Sequence, residues 1–158
     1  MHKYVIAYFF KPLEDLTEYQ STKSPLHITL LPIFGLPKKE LNKLFNKLNS
    51  VANHSASFYV FGEGTALFGP CNDIPVIKVA RSLEILNLHL KLLESIDLLN
   101  PIYDFPHFMR ENFNPHSTIE SNSQIKIGKK IIIDSFTLLD CGLNDSGVVK
   151  VIRTFNIN

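Results

Sequence analysis

The chain has 158 residues, 45% hydrophobic and 20% charged, which is enough to enclose one core and too apolar for a disordered segment. Lys plus Arg number 16 against 15 Asp plus Glu, a balance that disfavours a protein gripping long duplexes through their phosphates. It favours a small or terminal ligand, and it leaves room for a local basic groove.

Met1-His2-Lys3 and the apolar run Tyr4 to Phe10 lack a small-residue cleavage site and lead into Lys11-Pro12, so they read as a buried first strand rather than a leader. A polar stretch from Glu14 to Ser24 follows, expected to be a loop with at most one helical turn. Leu26 to Ile33, bracketed by Pro25 and Pro32, reads as a second strand. Pro37 suits the first turn of a helix on which Leu41, Leu44, Phe45, Leu48 and Val51 share a face, with Lys38, Lys39, Lys43 and Lys47 mostly off it.

Phe58 to Phe61 and Thr65 to Phe68 read as a hairpin around Gly62 and Gly64, and Pro75 to Ala80 as a further strand. Ser82 is placed to cap a second, well-buried helix reaching about Leu99. His116 to Glu120, Lys130 to Leu139 and Val148 to Phe155 read as strands, the last two joined by a turn over residues 142–147. This order predicts an α+β fold in one domain spanning residues 1–158, built from two similar halves that each hold a sheet and a helix. No segment is long and apolar enough to span a membrane. Cys71 and Cys141 form no C-x-x-C pair and read as reduced, partly buried thiols, consistent with a cytoplasmic protein.

Two segments repeat a chemical pattern. Pro25-Leu26-His27-Ile28-Thr29-Leu30 and Pro115-His116-Ser117-Thr118-Ile119 each carry His-x-Thr-aliphatic on an expected strand shortly after a proline. Strand side chains alternate, so each segment presents one imidazole and one hydroxyl on the same face. Facing each other, the halves would surround one cleft with two His and two Thr. Opening a 2′,3′-cyclic phosphate needs a base for water and an acid for the departing ribose oxygen. Imidazole, with an ordinary pKa of about 6.5, serves either role, and hydroxyls donate to oxygens on which charge builds.

The paired segments His27-Ile28-Thr29-Leu30 and His116-Ser117-Thr118-Ile119 resemble the signature of the two-histidine (2H) phosphoesterase superfamily, closest to its 2′-5′ RNA ligase and cyclic phosphodiesterase branch. The resemblance extends over most of the chain through the order of elements. It implies a bilobal, pseudo-twofold α+β fold with two antiparallel sheets lining a central groove and helices outside. It also implies metal-independent catalysis without a cofactor, with His27 and His116 catalytic and Thr29 and Thr118 binding phosphate. The expected substrates are RNA ends, cyclic nucleotides or short oligonucleotides, handled by a monomer in cleavage or ligation. Which histidine is acid and which is base stays open. The rival reading keeps the same groove for binding an RNA end or nucleotide without turnover.

Other residues carry less signal. Lys78, Arg81 and Arg110 are candidate phosphate contacts, each equally readable as a solvated rim charge. His107 is a candidate groove residue, though a surface or capping role fits a lone histidine better. Phe34, Phe68, Tyr103 and Phe113 could stack on a base, and in a chain with 12 Phe core packing is the stronger reading for each. The six histidines include no H-x-H or H-x-x-x-H pair, so a metal centre is not expected.

Overall fold

The computed structural model describes residues 1–120, 123–143 and 146–158. Part of the expected turn at 142–147 lies outside them. The first strand, β1 (His2–Phe9), is central in a six-stranded antiparallel sheet. It pairs on one side with β3 (His27–Leu36) and on the other with β9 (Ser135–Gly142); β10 (Val148–Asn156) and β2 (Glu18–Gln20) follow beyond β9, and β6 (Ile102–Tyr103) beyond β3. Both faces of β1 are covered. Tyr4, Ile6 and Tyr8 enter the main core, while Ala7 and Phe9 join Leu139, Val149 and Val151 in a smaller cluster on the opposite face. A strand buried on both faces reads as a continuous apolar run rather than an alternating one.

The second sheet has four antiparallel strands in the order β7 (His116–Thr118), β5 (Ile74–Val79), β4 (Phe58–Phe68), β8 (Lys130–Ile133). Its inward residues Val60, Ile77, Val79 and Ile133 share the main core with the first sheet and both helices. Helix α1 (Leu41–Asn53) buries Leu44, Leu48, Val51 and Ala52. Helix α2 (Leu83–Asp97) buries Ile85, Leu88, His89, Leu92, Leu93 and Ile96, an i, i+3, i+4, i+7 stripe. Ser82 Oγ accepts the Ile85 N–H at 3.3 Å, the cap anticipated from the sequence.

Several local expectations change, and the polar stretch expected as a loop contributes Glu18–Gln20 to the sheet as β2, paired with β10. The segments around Gly62 and Gly64 are one continuous strand, with a bulge between the two glycines instead of a hairpin turn. A Cβ on Gly62 would lie 3.1 Å from Ile77 Cγ2 and 3.3 Å from the Lys126 carbonyl, so the glycine admits a close approach of chain. Lys130 to Leu139 divides at Asp134 into β8 and β9, which belong to different sheets. β3 continues through Pro32, because β6 pairs only with Phe34 and Gly35 and leaves the proline's missing donor unneeded. Cys71 is exposed, in the turn at residues 69–72.

Candidate active site

The two His-x-Thr segments meet where the sheets meet, with β3 and β7 lying against each other. On β3, Ile28 and Leu30 enter the core, and the alternation turns His27 and Thr29 to the other face, opposite Phe9 and Ala7 of β1. The His27 and Phe9 rings lie 5.5 Å apart. On β7, Ser117 is buried while His116 and Thr118 stay partly open. The β5 register sets Lys78 opposite His116 and Val76 opposite Thr118, so the ammonium group flanks the second histidine on its own face. Phe68 meets the His116 ring edge-on at 4.6 Å.

Both imidazoles are oriented by the same local device. His27 Nδ1 lies 2.8 Å from the Pro25 carbonyl and His116 Nδ1 lies 2.9 Å from the Asn114 carbonyl, in each case two residues upstream. A carbonyl only accepts, so Nδ1 carries the proton and donates it, leaving the Nε2 lone pair to take a proton in the neutral ring. The surroundings then differ. Ser24 Oγ sits 3.1 Å from His27 Nδ1, and among the described residues no hydroxyl is paired with His116.

Burial holds both histidines below the ordinary imidazole value. For His27 the Pro25 carbonyl and the negative charge of Glu120 work against that shift. For His116 the Asn114 carbonyl works against it, while the proximity of His27 lowers it further. The two rings therefore sense each other's charge, and a proton on one disfavours a proton on the other.

Lys78 is the only cationic candidate from the sequence whose register sets it beside a motif histidine. Arg81 donates to the Arg110 and Glu111 carbonyls at 3.2 and 2.7 Å, and Arg110 pairs with Asp97 at 3.2 Å. His107 is exposed, its ring 4.1 Å from that of Phe108. Phe34 has no exposed surface, so it is a core residue rather than a base platform. Phe113 is likewise buried and stacks on His89. Tyr103 is half-buried, with its hydroxyl 2.6 Å from Asp97.

Three neighbours lie outside the set that sequence reasoning singles out. Phe9 reads only as part of a buried strand, and Ser24 has no signal beyond standing before a proline. Glu120 continues the 116, 118, 120 alternation, the one clue that could have found it. Among the described residues no three His, Cys, Asp or Glu side chains gather as a metal-ligand set, and no helix is long and apolar enough to cross a membrane.

Comparison with known proteins places this geometry. No curated protein sequence matches the chain significantly. Among solved structures, TT0787 of Thermus thermophilus superposes with a TM-score of 0.66 at 20% identity, covering 98% of this chain and 97% of that one. A protein described as a phosphoesterase gives 0.62 at 13% identity, with coverage of 99% and 98%. Escherichia coli LigT complexed with 3′-AMP gives 0.59 at 14% identity, with 84% and 77% covered. These likenesses establish the bilobal fold. The model of the 2′-5′ RNA ligase superfamily matches residues 5–131, a span that contains both His-x-Thr segments, and the chain belongs to that superfamily, the two-histidine phosphoesterases.

Proposed function

We propose that the protein is a metal-independent phosphodiesterase or reversible ligase acting on 2′,3′-cyclic phosphate or 2′-5′-linked RNA-like substrates, with His27 and His116 exchanging the protons. The observation that carries this reading is the matched pair of Nδ1-anchored imidazoles at the junction of β3 and β7, each with a threonine one strand step away. Escherichia coli LigT complexed with 3′-AMP, ATP and phosphate supports a nucleotide-like ligand for the same groove.

In the hydrolytic direction, the neutral ring takes a proton from water at Nε2 as the water oxygen bonds to phosphorus. The P–O bond to the ribose then breaks, and the protonated ring delivers its Nε2 proton to the departing oxygen. In ligation a 5′-hydroxyl takes the place of water: it gives its proton to the neutral ring as its oxygen bonds to phosphorus, and the protonated ring delivers its proton to the ribose oxygen that leaves the cyclic phosphate. Thr29 and Thr118 donate to the non-bridging oxygens, and Lys78 offsets their growing charge from beside His116. Burial pushes both rings toward the neutral form; the charge of Glu120 offsets this in part at His27, whereas the charge of His27 adds to it at His116. We therefore assign His27 as the acid and His116 as the base for hydrolysis.

The test is turnover of nucleoside 2′,3′-cyclic phosphates and 2′-5′-linked oligonucleotides in EDTA, comparing wild type with His27→Ala and His116→Ala. Each variant should lose about 10²–10⁴-fold in kcat/KM, the range for removing a general acid or base. Activity abolished by EDTA and restored by one divalent ion refutes the mechanism. A wild type that binds nucleotides but turns over none of them leaves a binding module.

A further inference from the structure

Two hydroxyl side chains stand in line on the Nδ1 side of His27, and the chemistry above uses neither. Both come from the segment between β1 and β3. It crosses the face of the six-stranded sheet that carries His27 and Thr29, where Leu13 and Tyr19 pack on the small apolar cluster around Phe9 and Val151. Tyr19 lies on β2 opposite Val149, and its ring meets Phe9 edge-on at 6.3 Å. Phe9 in turn faces the His27 ring at 5.5 Å. Ser24 links the same two outer residues by hydrogen bonding: its Oγ lies 3.1 Å from His27 Nδ1, and its side chain bonds the Tyr19 phenol.

The hydrogens of this line have a definite arrangement. Nδ1 carries its proton toward the Pro25 carbonyl at 2.8 Å, so Ser24 Oγ is a second acceptor for the same N–H. The one Ser24 hydrogen then has two acceptors, the Pro25 carbonyl at 3.2 Å and the Tyr19 oxygen. A hydroxyl that donates to a neighbour accepts more strongly, so Tyr19 strengthens Ser24 as a partner for Nδ1. Burial pushes the Tyr19 pKa up to about 12, with the Ser24 bond acting against it and Cys141 adding to it, so the phenol is neutral near pH 7. Ser24 is also fixed by its backbone, extended at φ −66° and ψ 135°, the shape favoured for a residue before proline.

An acceptor on Nδ1–H counts most when the ring is charged, because a cation donates a stronger hydrogen bond than a neutral group. Ser24 therefore favours the protonated ring that the acid step requires. Among the described residues His116 has no such partner beside its carbonyl. Three residues before His27 stands Ser24; three residues before His116 stands Phe113, a buried ring stacked on His89.

We infer that Ser24 and Tyr19 are positioning residues for His27, a hydroxyl pair that holds its Nδ1–H and secures the proton it delivers. The inference rests on the proposed acid role of His27. The other titratable groups around this ring are Glu120, whose charge acts on it, and His116, with Lys78 beside it.

The experiment follows the His27 side-chain resonances by NMR as pH is varied, in wild type, Ser24→Ala, Tyr19→Phe and Ser24→Thr. The kcat/KM on a nucleoside 2′,3′-cyclic phosphate is measured across the same range. Ser24→Ala should lower the His27 midpoint by about 0.5–1 pH unit, the size of one net hydrogen bond. Tyr19→Phe, which keeps the ring on Phe9, should lower it by a smaller step, and Ser24→Thr should behave as wild type. The alkaline limb of kcat/KM should move down with the midpoint, a loss of about 3–10-fold on that limb, with the melting curve little changed. An unchanged midpoint in Ser24→Ala or in Tyr19→Phe overturns the pair. Equal shifts in Ser24→Ala and Ser24→Thr overturn it too, since packing rather than the hydroxyl would then set the ring. A midpoint that moves while the alkaline limb stays overturns the pair's part in the reaction. If the midpoints move as expected and wild type turns over no cyclic phosphate or 2′-5′ linkage, the hydroxyl pair stands and the acid–base chemistry falls.

Discussion

His89 is the sharpest test of how the fold holds the two motifs together. It is fully buried on α2, with Nδ1 2.7 Å from the Leu30 carbonyl and Nε2 accepting the Arg110 N–H at 3.0 Å. Its ring lies flat on Phe113, with centroids 4.1 Å apart and planes within 1°. Leu30 follows Thr29, and Arg110 begins the short 3₁₀ turn Arg110–Asn112 that leads toward His116. One imidazole thus ties the helix to both halves of the site. His89→Phe keeps the stacking and much of the volume but takes the side-chain partners from one carbonyl and one N–H. At about 1–3 kcal/mol for each polar group left unsatisfied, the loss should be about 2–6 kcal/mol. At roughly 2–4 °C per kcal/mol for a chain of this size, that is a fall in Tm of about 4–24 °C, measured by urea and thermal unfolding. Burial first, then the Leu30 carbonyl acting in opposition and the charges of Arg110 and Arg81, leave the His89 pKa below its ordinary value. Its neutral ring therefore contributes fully above about pH 6.5, and that contribution fades as pH falls through the lowered folded pKa. His27 and His116 act in the same direction, so the decisive quantity is the difference between variant and wild type, which should narrow from pH 7 to pH 5. A His89→Phe protein within about 0.5 kcal/mol of wild type, the scatter of an ordinary surface substitution, would refute the two-bond account.

The remaining predictions concern the reaction itself. Because both motif histidines are held below the ordinary value and repel each other's protons, the singly protonated pair is most populated on the acid side of about pH 6.5. The kcat/KM profile should be a bell with its maximum there, and a maximum above pH 8 contradicts the assignment. Thr29→Val and Thr118→Val keep shape while removing the hydroxyl. Each should lower kcat by about 10²–10³-fold, in the range of a lost oxyanion donor, with the melting curve little changed. A change confined to KM would show that the hydroxyls bind ground state and transition state alike.

Much of the candidate site's geometry is legible in the sequence because its signal is local. A His and a Thr two residues apart on a strand share a face whatever the rest of the chain does, and the repeat at 27–30 and 116–119 marks two such strands. Helix α1 is legible for the same reason, its apolar spacing surviving from sequence to burial at Leu44, Leu48 and Val51. What escapes depends on contacts across the chain. Gly62 and Gly64 carry the signature of a turn, and only the passage of Lys126 behind Gly62 shows that the glycine serves close approach inside a continuous strand. Nothing local marks Asp134 as the point where one run of apolar residues leaves the four-stranded sheet and enters the six-stranded one. Phe34 and Phe68 look alike in sequence, yet one is a core ring and the other faces a motif imidazole.

The duplicated motif makes the two histidines equivalent in backbone terms, and the proposed reaction requires them to be unequal. Each Nδ1 is fixed by the carbonyl two residues upstream, so the strand itself supplies the tautomer and leaves Nε2 to exchange protons. Pseudo-symmetry of that kind yields two bases of similar strength, whereas cleavage needs one proton held and one site empty. The inequality comes from residues outside the motif. Glu120 and Ser24 are gathered around His27, and Phe68 and Lys78 around His116. A carboxylate near one ring of a symmetric pair biases where the single proton rests, while mutual repulsion keeps a second one away. On the proposed mechanism the division of roles follows from the lobes' different neighbours, and Glu120→Gln is the substitution that most directly weakens it. His27 must hold its proton to act as the acid, so its loss of that proton sets the alkaline limb of the kcat/KM profile. Removing the Glu120 charge should shift that limb to lower pH and leave the carbonyl-anchored geometry of both rings in place. An alkaline limb that stays where it is in the variant would mean that Glu120 does not set the division of roles.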